Sequence, residues 1–278
     1  MSKTWFVTGS SRGLGRAVVE NALAAGDRVA ATARRPEQLS DLVHRYGDAV
    51  LPLALDVSDP AAVTTAVEAA LRQFGRLDVV VNNAGYADTA AIEDGTLEAF
   101  TAQIATNFFG VVHVSKAVLP TLRRQGSGHL VQVSSLGGRL ASPGLAAYQS
   151  AKWAVGGFSS VLAQEVAPFG VKVTVLEPGG MRTDWAGPSM AIPPISEPYR
   201  PTVGAFVDLL HEANGGEPTD PAKVAELVRE VVDLPDPPLR LLVGTDAVQY
   251  ASAAASRLAE SDEKWRGLSE SVSVVGAE

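Results

Sequence analysis

Short apolar runs alternate along the chain with longer stretches in which apolar residues recur at helical spacing. The runs show little polar alternation, which is typical of parallel strands that are covered on both faces. The predicted strands cover residues 4–8, 28–33, 50–55, 77–81, 129–133, 172–176 and 239–243. Helical periodicity is clear over residues 60–74 and 145–167. This alternation predicts an α/β fold with a doubly wound parallel sheet.

Composition narrows the possible functions. The 278 residues are 46% hydrophobic, which is enough for a single domain over residues 1–278. A formal net charge of −8 argues against binding to nucleic acid or to a membrane surface. The absence of cysteine excludes thiolate chemistry, and four scattered histidines give no reason to predict a metal site. We find no leader-like start and no membrane-length apolar run, so we expect a cytoplasmic protein.

A glycine-rich turn, TGSSRGLG, joins the first predicted strand to the first helix. Glycines at such a junction let the backbone approach a pyrophosphate, and the helix N-terminus offers free N–H groups to it. The turn therefore predicts a dinucleotide site on a Rossmann-type fold. The predicted contacts in the turn are Gly9, Ser11, Arg12, Gly13, Leu14 and Gly15.

The same turn also satisfies GxSxG, the motif around the nucleophile of α/β hydrolases. A hydrolase would need earlier strands and a histidine late in the chain at a strand end. Only one strand is predicted before the turn, and His211 lies in an irregular region. The hydrolase interpretation is therefore disfavoured.

The end of the second predicted strand indicates which dinucleotide binds. An NAD site usually has an acid there, which accepts a hydrogen bond from the ribose 2′-hydroxyl. This chain has Ala33 followed by Arg34 and Arg35. A small neutral residue followed by arginine leaves room for a 2′-phosphate and neutralises it, and Arg12 can approach from the other side. We therefore predict NADP(H) with Arg34 at its phosphate, and expect Arg35 to solvate the strand end.

Tyr148 and Lys152 carry a chemistry of their own. At i and i+4 of one helix, the two side chains share a face. A free tyrosine has a pKa of about 10, and a nearby ammonium favours the phenolate and lowers that value. The phenol is then suited to act as a general acid toward a carbonyl or as a base toward an alcohol.

Six motifs in chain order resemble those of the short-chain dehydrogenase/reductase family. They are TGSSRGLG at 8–15, NNAG at 82–85, NFFG at 107–110, VSS at 133–135, YQSAK at 148–152 and PGGMRT at 178–183. The GxxxGxG spacing resembles the shorter-chain branch of the family and disfavours the extended epimerase-like branch. The resemblance covers roughly residues 3–184 and implies hydride transfer between NADP(H) and a carbonyl/alcohol pair.

The resemblance also implies roles for individual residues. Ser135 would hold the substrate oxygen, with Ser134 in a structural role. Asn107 would arrange a water-linked proton path behind Lys152, although bending or capping its helix is the alternative. Thr183 would bind the nicotinamide carboxamide. The further cofactor contacts that it implies are Asp56, Val57, Asn83, Ala84, Gly85, Tyr148, Lys152, Pro178 and Gly179. For Asp56, a role at a helix N-terminus is the alternative.

Residues 178–218 are dense in proline, glycine and serine. Within them, residues 185–213 are predicted to form a lid that closes over the substrate, with a packed surface excursion as the alternative. The apolar side chains that suggest a pocket wall are Trp185, Met190, Ile192, Ile195, Tyr199 and Phe206. A helical tail is expected over residues 247–278.

Together these features predict an oxidoreductase that reduces a hydrophobic ketone or aldehyde with NADPH, using Tyr148 as general acid. A non-catalytic NADP-binding sensor or scaffold on the same fold is the alternative. The expected partner is a small-molecule substrate. Gly156 and Gly157 indicate close helix packing within or between subunits, and a homodimer or homotetramer is expected.

Overall fold

The computed structural model describes residues 2–183, 190–213 and 215–274. Its centre is a seven-stranded parallel sheet with the strand order β3-β2-β1-β4-β5-β6-β7. The strands are β1 Thr4–Val7, β2 Arg28–Ala33, β3 Val50–Ala54, β4 Val79–Asn82, β5 Gly128–Val133, β6 Val171–Pro178 and β7 Arg240–Val243. Each predicted strand is present, with ends shifted by at most two residues. The doubly wound Rossmann-type fold is therefore confirmed.

Helices cover both faces of the sheet. Within the described ranges they are α1 Gly13–Ala24, α2 Ser40–Tyr46, α3 Pro60–Phe74, α4 Leu97–Ile104, α5 Gly110–Gln125, α6 Ala146–Val166, α7 Ala205–Ala213, α8 Pro221–Asp233 and α9 Thr245–Glu270. One face packs against α1, α2 and α8, and the other packs against α3, α5 and α6. The strand order reverses between β1 and β4, so a crevice opens there at the carboxyl ends of the strands.

The core follows from the alternation of side chains along the strands. Trp5 and Val7 lie in one hydrophobic cluster, and Phe6 lies in the other. Burying each such side chain contributes roughly 1.5–3 kcal/mol. Because both faces are covered, the strands are apolar at nearly every position, which is the pattern that the sequence displays.

Capping explains why α3 matches its predicted bounds. Asp59 accepts hydrogen bonds from the backbone N–H groups of Ala61 and Ala62, and Pro60 occupies the first turn, where a missing N–H does no harm. Gly75, in the left-handed conformation, ends the helix. These signals are local, so they can be recognised in the sequence.

A buried ion triad joins β6 to its surroundings. Glu177 is fully buried and accepts from Nε of Arg139 at 2.7 Å and from Nε of Arg240 at 2.8 Å. A Cβ at Gly156 would lie 3.0 Å from Nη2 of Arg240. The close packing predicted at Gly156 is therefore met within the chain, whereas a Cβ at Gly157 would meet no atom within 4 Å.

The part of the chain after the last strand is helical. The helical tail predicted over residues 247–278 is present as α9, which begins at Thr245 and ends at Glu270, earlier than predicted; residues 275–278 lie outside the described ranges. Among the helices of the described part, none is both long enough and apolar enough to cross a bilayer.

Candidate active site

A cleft of about 500 Å³ opens at the carboxyl ends of the strands, where the strand order reverses. Most of the residues predicted from the sequence line it. These are Gly9, Ser11, Arg12, Gly13, Leu14, Arg34, Asp56, Val57, Asn83, Ala84, Gly85, Ser135, Tyr148, Lys152, Pro178, Gly179 and Thr183. Gly15 and Asn107 are not among the lining residues, and both are buried behind the cleft wall.

The glycine turn has the backbone that its sequence predicts. Gly9 and Gly13 have φ values of +67° and +57°, which favour glycine. A Cβ at Gly15 would lie 2.2 Å from the Gly9 carbonyl oxygen, so Gly15 serves the packing of the turn. Nδ2 of Asn83 donates to the carbonyl oxygens of Thr8 and Gly9 at 3.0 and 3.1 Å. The end of β4 therefore holds the turn in place.

The end of β2 lies at one end of the cleft. Ala33 is buried there, while the exposed side chains of Arg34 and Arg12 line the cleft. Asp56 accepts from the backbone N–H and the hydroxyl of Ser58 at 2.9 and 2.7 Å. These bonds, with a smaller contribution from Arg34, hold the pKa of Asp56 below its ordinary value. Asp56 does not cap α3, because that role falls to Asp59.

Val57 is buried beneath the cleft and is fixed from behind. Its carbonyl oxygen lies 3.0 Å from Nδ1 of His113. A Cβ at Gly110 would lie 2.6 Å from a methyl group of Val57. The NFFG motif, which includes Gly110, thus leaves room for the residue that was predicted to contact the adenine.

The three predicted catalytic side chains converge at the centre of the cleft. Lys152 donates from Nζ to the carbonyl oxygen of Val133 at 2.8 Å, and Nζ lies 5.5 Å from the centre of the Tyr148 ring. Ser135 makes a side-chain hydrogen bond with Tyr148. Ser134 instead donates to the backbone carbonyl of Lys152 at 3.1 Å and is buried. This geometry places Ser135 beside the phenol and gives Ser134 a structural bond.

Burial is the largest cause of the pKa shifts of Tyr148 and Lys152. It raises the pKa of Tyr148 to about 12, although the bond from Ser135 acts in the opposite direction. Burial also lowers the pKa of Lys152 to about 8. The expectation that the ammonium would bring the phenol pKa below its ordinary value is therefore wrong for the protein itself. The desolvation of a buried phenolate outweighs the opposing bond from Ser135.

Asn107 lies in a π-helical turn, Ala105–Phe109, that joins α4 to α5. Its Nδ2 donates to the carbonyl oxygens of Tyr86 and Gln103 at 2.8 and 2.9 Å, and its Oδ1 accepts from the N–H of Tyr86 at 3.2 Å. These bonds correspond to the predicted helix-bending role and also anchor the loop after β4. The water-linked path from Asn107 to Lys152 stays a prediction.

The loop after β6 is held by a residue that the sequence analysis missed. Gly180 donates its N–H to Oδ2 of Asp246 at 2.7 Å, and a Cβ at Gly179 would lie 2.2 Å from the same oxygen. Thr183 lies against the glycine turn, because a Cβ at Gly13 would be 3.6 Å from its methyl group. An acid just after the last strand was the available signal for Asp246, since strand ends meet at this edge of the sheet.

An apolar wall covers the Tyr148 end of the cleft. Buried Ala87, Leu145, Tyr148 and Met190 form one cluster, and Ile192, Phe206 and Leu210 pack against it. Phe206 and Leu210 line the cleft. Two of the predicted wall residues behave differently: Tyr199 donates to Glu93 at 2.6 Å, and Ile195 is half-buried outside this cluster. Trp185 lies outside the described residues.

In the predicted lid segment, residues 185–213, the described residues are hydrogen-bonded to the loop after β4. The carbonyl oxygen of Ala191 accepts a hydrogen bond from the N–H of Thr89, and the N–H of Ala191 donates to Oδ1 of Asp88, both at 3.0 Å. Farther along, Ser196 donates its N–H to Asp94 at 2.9 Å. Residues 190–199 would therefore have to move together with residues 88–94, and closure as a lid stays a prediction.

Comparisons with known proteins agree with this geometry. The sequence model of the family described as short chain dehydrogenase matches residues 3–191. An oxidoreductase of Botryotinia fuckeliana, BOA17, is 62% identical over 270 residues, which make up 97% of this chain and 98% of that protein.

Solved structures of the family are also similar. A short-chain dehydrogenase from Streptomyces avermitilis has a TM-score of 0.92 at 38% identity, over 99% of this chain and 100% of that chain. An alcohol dehydrogenase from Thermococcus sibiricus, complexed with 5-hydroxy-NADP, has a TM-score of 0.73 at 28% identity over 88% and 97% of the two chains. A 3-ketoacyl-(acyl-carrier-protein) reductase from Brucella melitensis, complexed with NADH, has a TM-score of 0.73 at 26% identity over 87% and 96%. The chain is therefore an oxidoreductase that belongs to the short-chain dehydrogenase family.

Proposed function

We propose that this protein reduces a hydrophobic ketone or aldehyde with NADPH, and that Tyr148 is the general acid. The observation that carries the proposal is the buried phenol of Tyr148, which is hydrogen-bonded to Ser135 and opens onto the apolar part of the cleft. A phenol whose pKa is raised to about 12 holds its proton at neutral pH. It can therefore donate that proton to a carbonyl oxygen as negative charge develops there.

Ser135 and Lys152 support this step in different ways. The Ser135 hydroxyl lies beside the phenol and can hold the carbonyl oxygen of the substrate in position. Lys152 is fixed by Val133, so its ammonium stays near the ring and can stabilise the phenolate that remains after proton transfer. The same groups, acting in reverse, would take the proton from an alcohol.

The residues at the end of β2 support the choice of a dinucleotide with a 2′-phosphate. The glycine turn presents its backbone at the N-terminus of α1, and the end of β2 has the small residue Ala33 in place of an acid. Arg34 and Arg12 would hold the phosphate by charge-assisted hydrogen bonds, each worth roughly 1.5–3 kcal/mol. When bound, NADPH supplies the hydride, and the protein supplies orientation and the proton.

The apolar wall sets the expected class of substrate. Met190, Phe206 and Leu210 pack in the cluster that includes Tyr148. Their apolar side chains offer no hydrogen-bond donor to a sugar and no charge to a carboxylate. A ketone or aldehyde with an apolar body would bury its surface there at roughly 25 cal/mol per Å². A charged substrate would lose its hydration without a partner.

A substrate panel tests the proposal. Oxidation of NADPH is followed by absorbance with linear ketones and aldehydes of increasing chain length, alongside sugars and keto acids. We expect kcat/KM to rise with apolar chain length and to be higher with NADPH than with NADH. Tight NADPH binding with no turnover across the panel would identify a sensor, and faster turnover of sugars or keto acids would contradict the apolar pocket.

A further inference from the structure

The last helix leaves the body of the protein. The first turns of α9 are anchored by Ala247 and Ala251, which are buried, whereas every residue over 255–274 is exposed. The exposed part of α9 is about 24 Å long at 1.5 Å per residue. This part of α9 lacks the tertiary contacts that stabilise most helices. A helix of this length is marginal in water without such packing.

Large apolar side chains follow one face of this exposed segment. Leu258, Trp265 and Leu268 are 61%, 52% and 68% exposed. Together with smaller residues they recur at alternating steps of three and four. The full series is Ala254, Leu258, Ser261, Trp265 and Leu268. These are the a and d positions of a heptad repeat, the pattern by which helices pair into coiled coils. We refer to this series as the α9 seam.

The charged side chains of α9 lie in two places, on the face away from the α9 seam and beside the seam. On the face away from the α9 seam, Arg266 pairs with Glu263 and Glu270 within α9. Arg257 and Asp262 instead flank the seam, at the g and e positions of the heptad. Within the described ranges, neither Arg257 nor Asp262 enters an ion pair. The flanking charges are therefore available to a helix that covers the seam.

We propose that the α9 seam is a dimerisation surface, covered by the same helix of a second copy in a parallel, in-register pair. In that arrangement a g residue faces the e residue of the following heptad in the partner, so Arg257 faces the partner's Asp262. The two-fold symmetry makes this ion pair twice. An antiparallel pair places g against g and e against e, which offers Arg257, Lys264 and Asp262 no opposite charge.

Ser261 supports the same register. It is the polar residue in the middle of the seam and lies at a d position. In the in-register parallel pair Ser261 faces its own copy, so two hydroxyls meet each other. A shifted or antiparallel pair sets Ser261 against an apolar residue such as Trp265. A single Asn or Lys at an a position specifies register in coiled coils, and we assign the same role to Ser261 at its d position.

Charged substitutions on the seam test the surface. The mass of the full chain in solution is measured by light scattering after size exclusion, for the wild type, for Leu258→Glu,Leu268→Glu, and for the matched outer-face control Ser252→Glu,Ser256→Glu. We expect the seam variant to fall to half the wild-type mass with unchanged reductase activity, and the control to keep the wild-type mass. A monomeric wild type, or a seam variant of unchanged mass, would overturn the proposal.

Charge reversal tests the flanking pair. Asp262→Lys sets a lysine against the partner's Arg257, and we expect the dimer dissociation constant to rise about threefold to tenfold. Arg257→Glu,Asp262→Lys restores opposite charges, so it should return the constant to within about twofold of the wild type. Equal weakening by both variants would contradict the parallel arrangement.

Cross-linking tests orientation directly, because the chain contains no cysteine. In a parallel in-register pair, Leu268→Cys faces its own copy and should form an intermolecular disulfide on mild oxidation. The control Glu270→Cys points away from the seam and should link far more slowly. If Leu268→Cys does not link but Leu258→Cys,Leu268→Cys does, the helices are antiparallel and the proposed arrangement is wrong.

Discussion

Lys152 donates its hydrogen bond from Nζ to the carbonyl oxygen of Val133, at 2.8 Å. The bond joins the second turn of the helix that carries Tyr148 to the last residue of β5, just before the serine pair. An ammonium held in this way cannot swing toward solvent, although burial lowers its pKa to about 8. The position of the charge beside the phenol is therefore set by the backbone of the sheet.

Tyr148→Phe removes the proposed proton donor and leaves the ring in place. We expect kcat for carbonyl reduction to fall by about 10²–10⁴, the usual contribution of a general acid, while the dissociation constant for NADPH changes less than about threefold. Steady-state kinetics and fluorescence titration measure the two quantities. Turnover close to that of the wild type would exclude Tyr148 as the acid.

Lys152→Met should change how stability depends on pH. Because the folded pKa of about 8 lies below the ordinary value of 10.5, the unfolded chain binds the proton more tightly, and wild-type stability gains with rising pH between these values. The free energy of unfolding of the wild type should therefore rise by about 2 kcal/mol relative to Lys152→Met between pH 6.5 and 9.5.

Urea unfolding of both proteins at the two pH values measures this difference. Tyr148 has its pKa raised, so it stabilises the fold below about pH 10 and loses that contribution only above the window tested. Methionine cannot titrate and serves as the reference. A stability gap that stays constant across the window would show that Lys152 keeps its ordinary pKa in the fold.

Arg34→Ala should discriminate between the two dinucleotides. Loss of one charge-assisted bond to a 2′-phosphate is expected to weaken NADPH about tenfold to a hundredfold, with little change for NADH. Arg12→Ala,Arg34→Ala should weaken NADPH further. Arg35→Ala is the matched control, because Arg35 is exposed but does not line the cleft. Equal weakening of NADPH and NADH would mean that the arginines attract phosphate in general.

Leu210→Asp should impair the use of apolar substrates. Leu210 lines the cleft beside Phe206, whereas Leu209 on the same helix is 58% exposed and gives the control Leu209→Asp. We expect kcat/KM for a long-chain ketone to fall at least tenfold in Leu210→Asp and less than twofold in the control. If both variants keep wild-type kinetics, α7 does not form part of the substrate pocket.

The sheet and most of the cofactor contacts could be predicted because their signals are local. The glycine turn can be recognised from residues that are adjacent in the chain. Asp59 and Gly75 mark the two ends of α3 in the same way. The order of parallel strands then brings the strand ends to one edge. The residues that follow those strands meet in the cleft for that reason.

Other features depend on packing between distant segments. The pKa of Tyr148 is set by burial against residues such as Met190, 42 positions along the chain, and no periodicity encodes that contact. Asp246 meets Gly180 across a separation of 66 positions. The segment over residues 185–213 was predicted to be apolar, but which of its residues face the cleft follows only from the packing of α7, which brings Phe206 and Leu210 there.

The amide of Asn83 has a consequence for how the glycine turn binds. Glycine loses more conformational freedom on ordering than any other residue, so a turn rich in glycine would bind weakly if it became ordered only around its ligand. The bonds from Asn83 to Thr8 and Gly9 fix the turn as the chain folds. The entropy of ordering is therefore lost at folding, and a dinucleotide meets a surface that is already rigid.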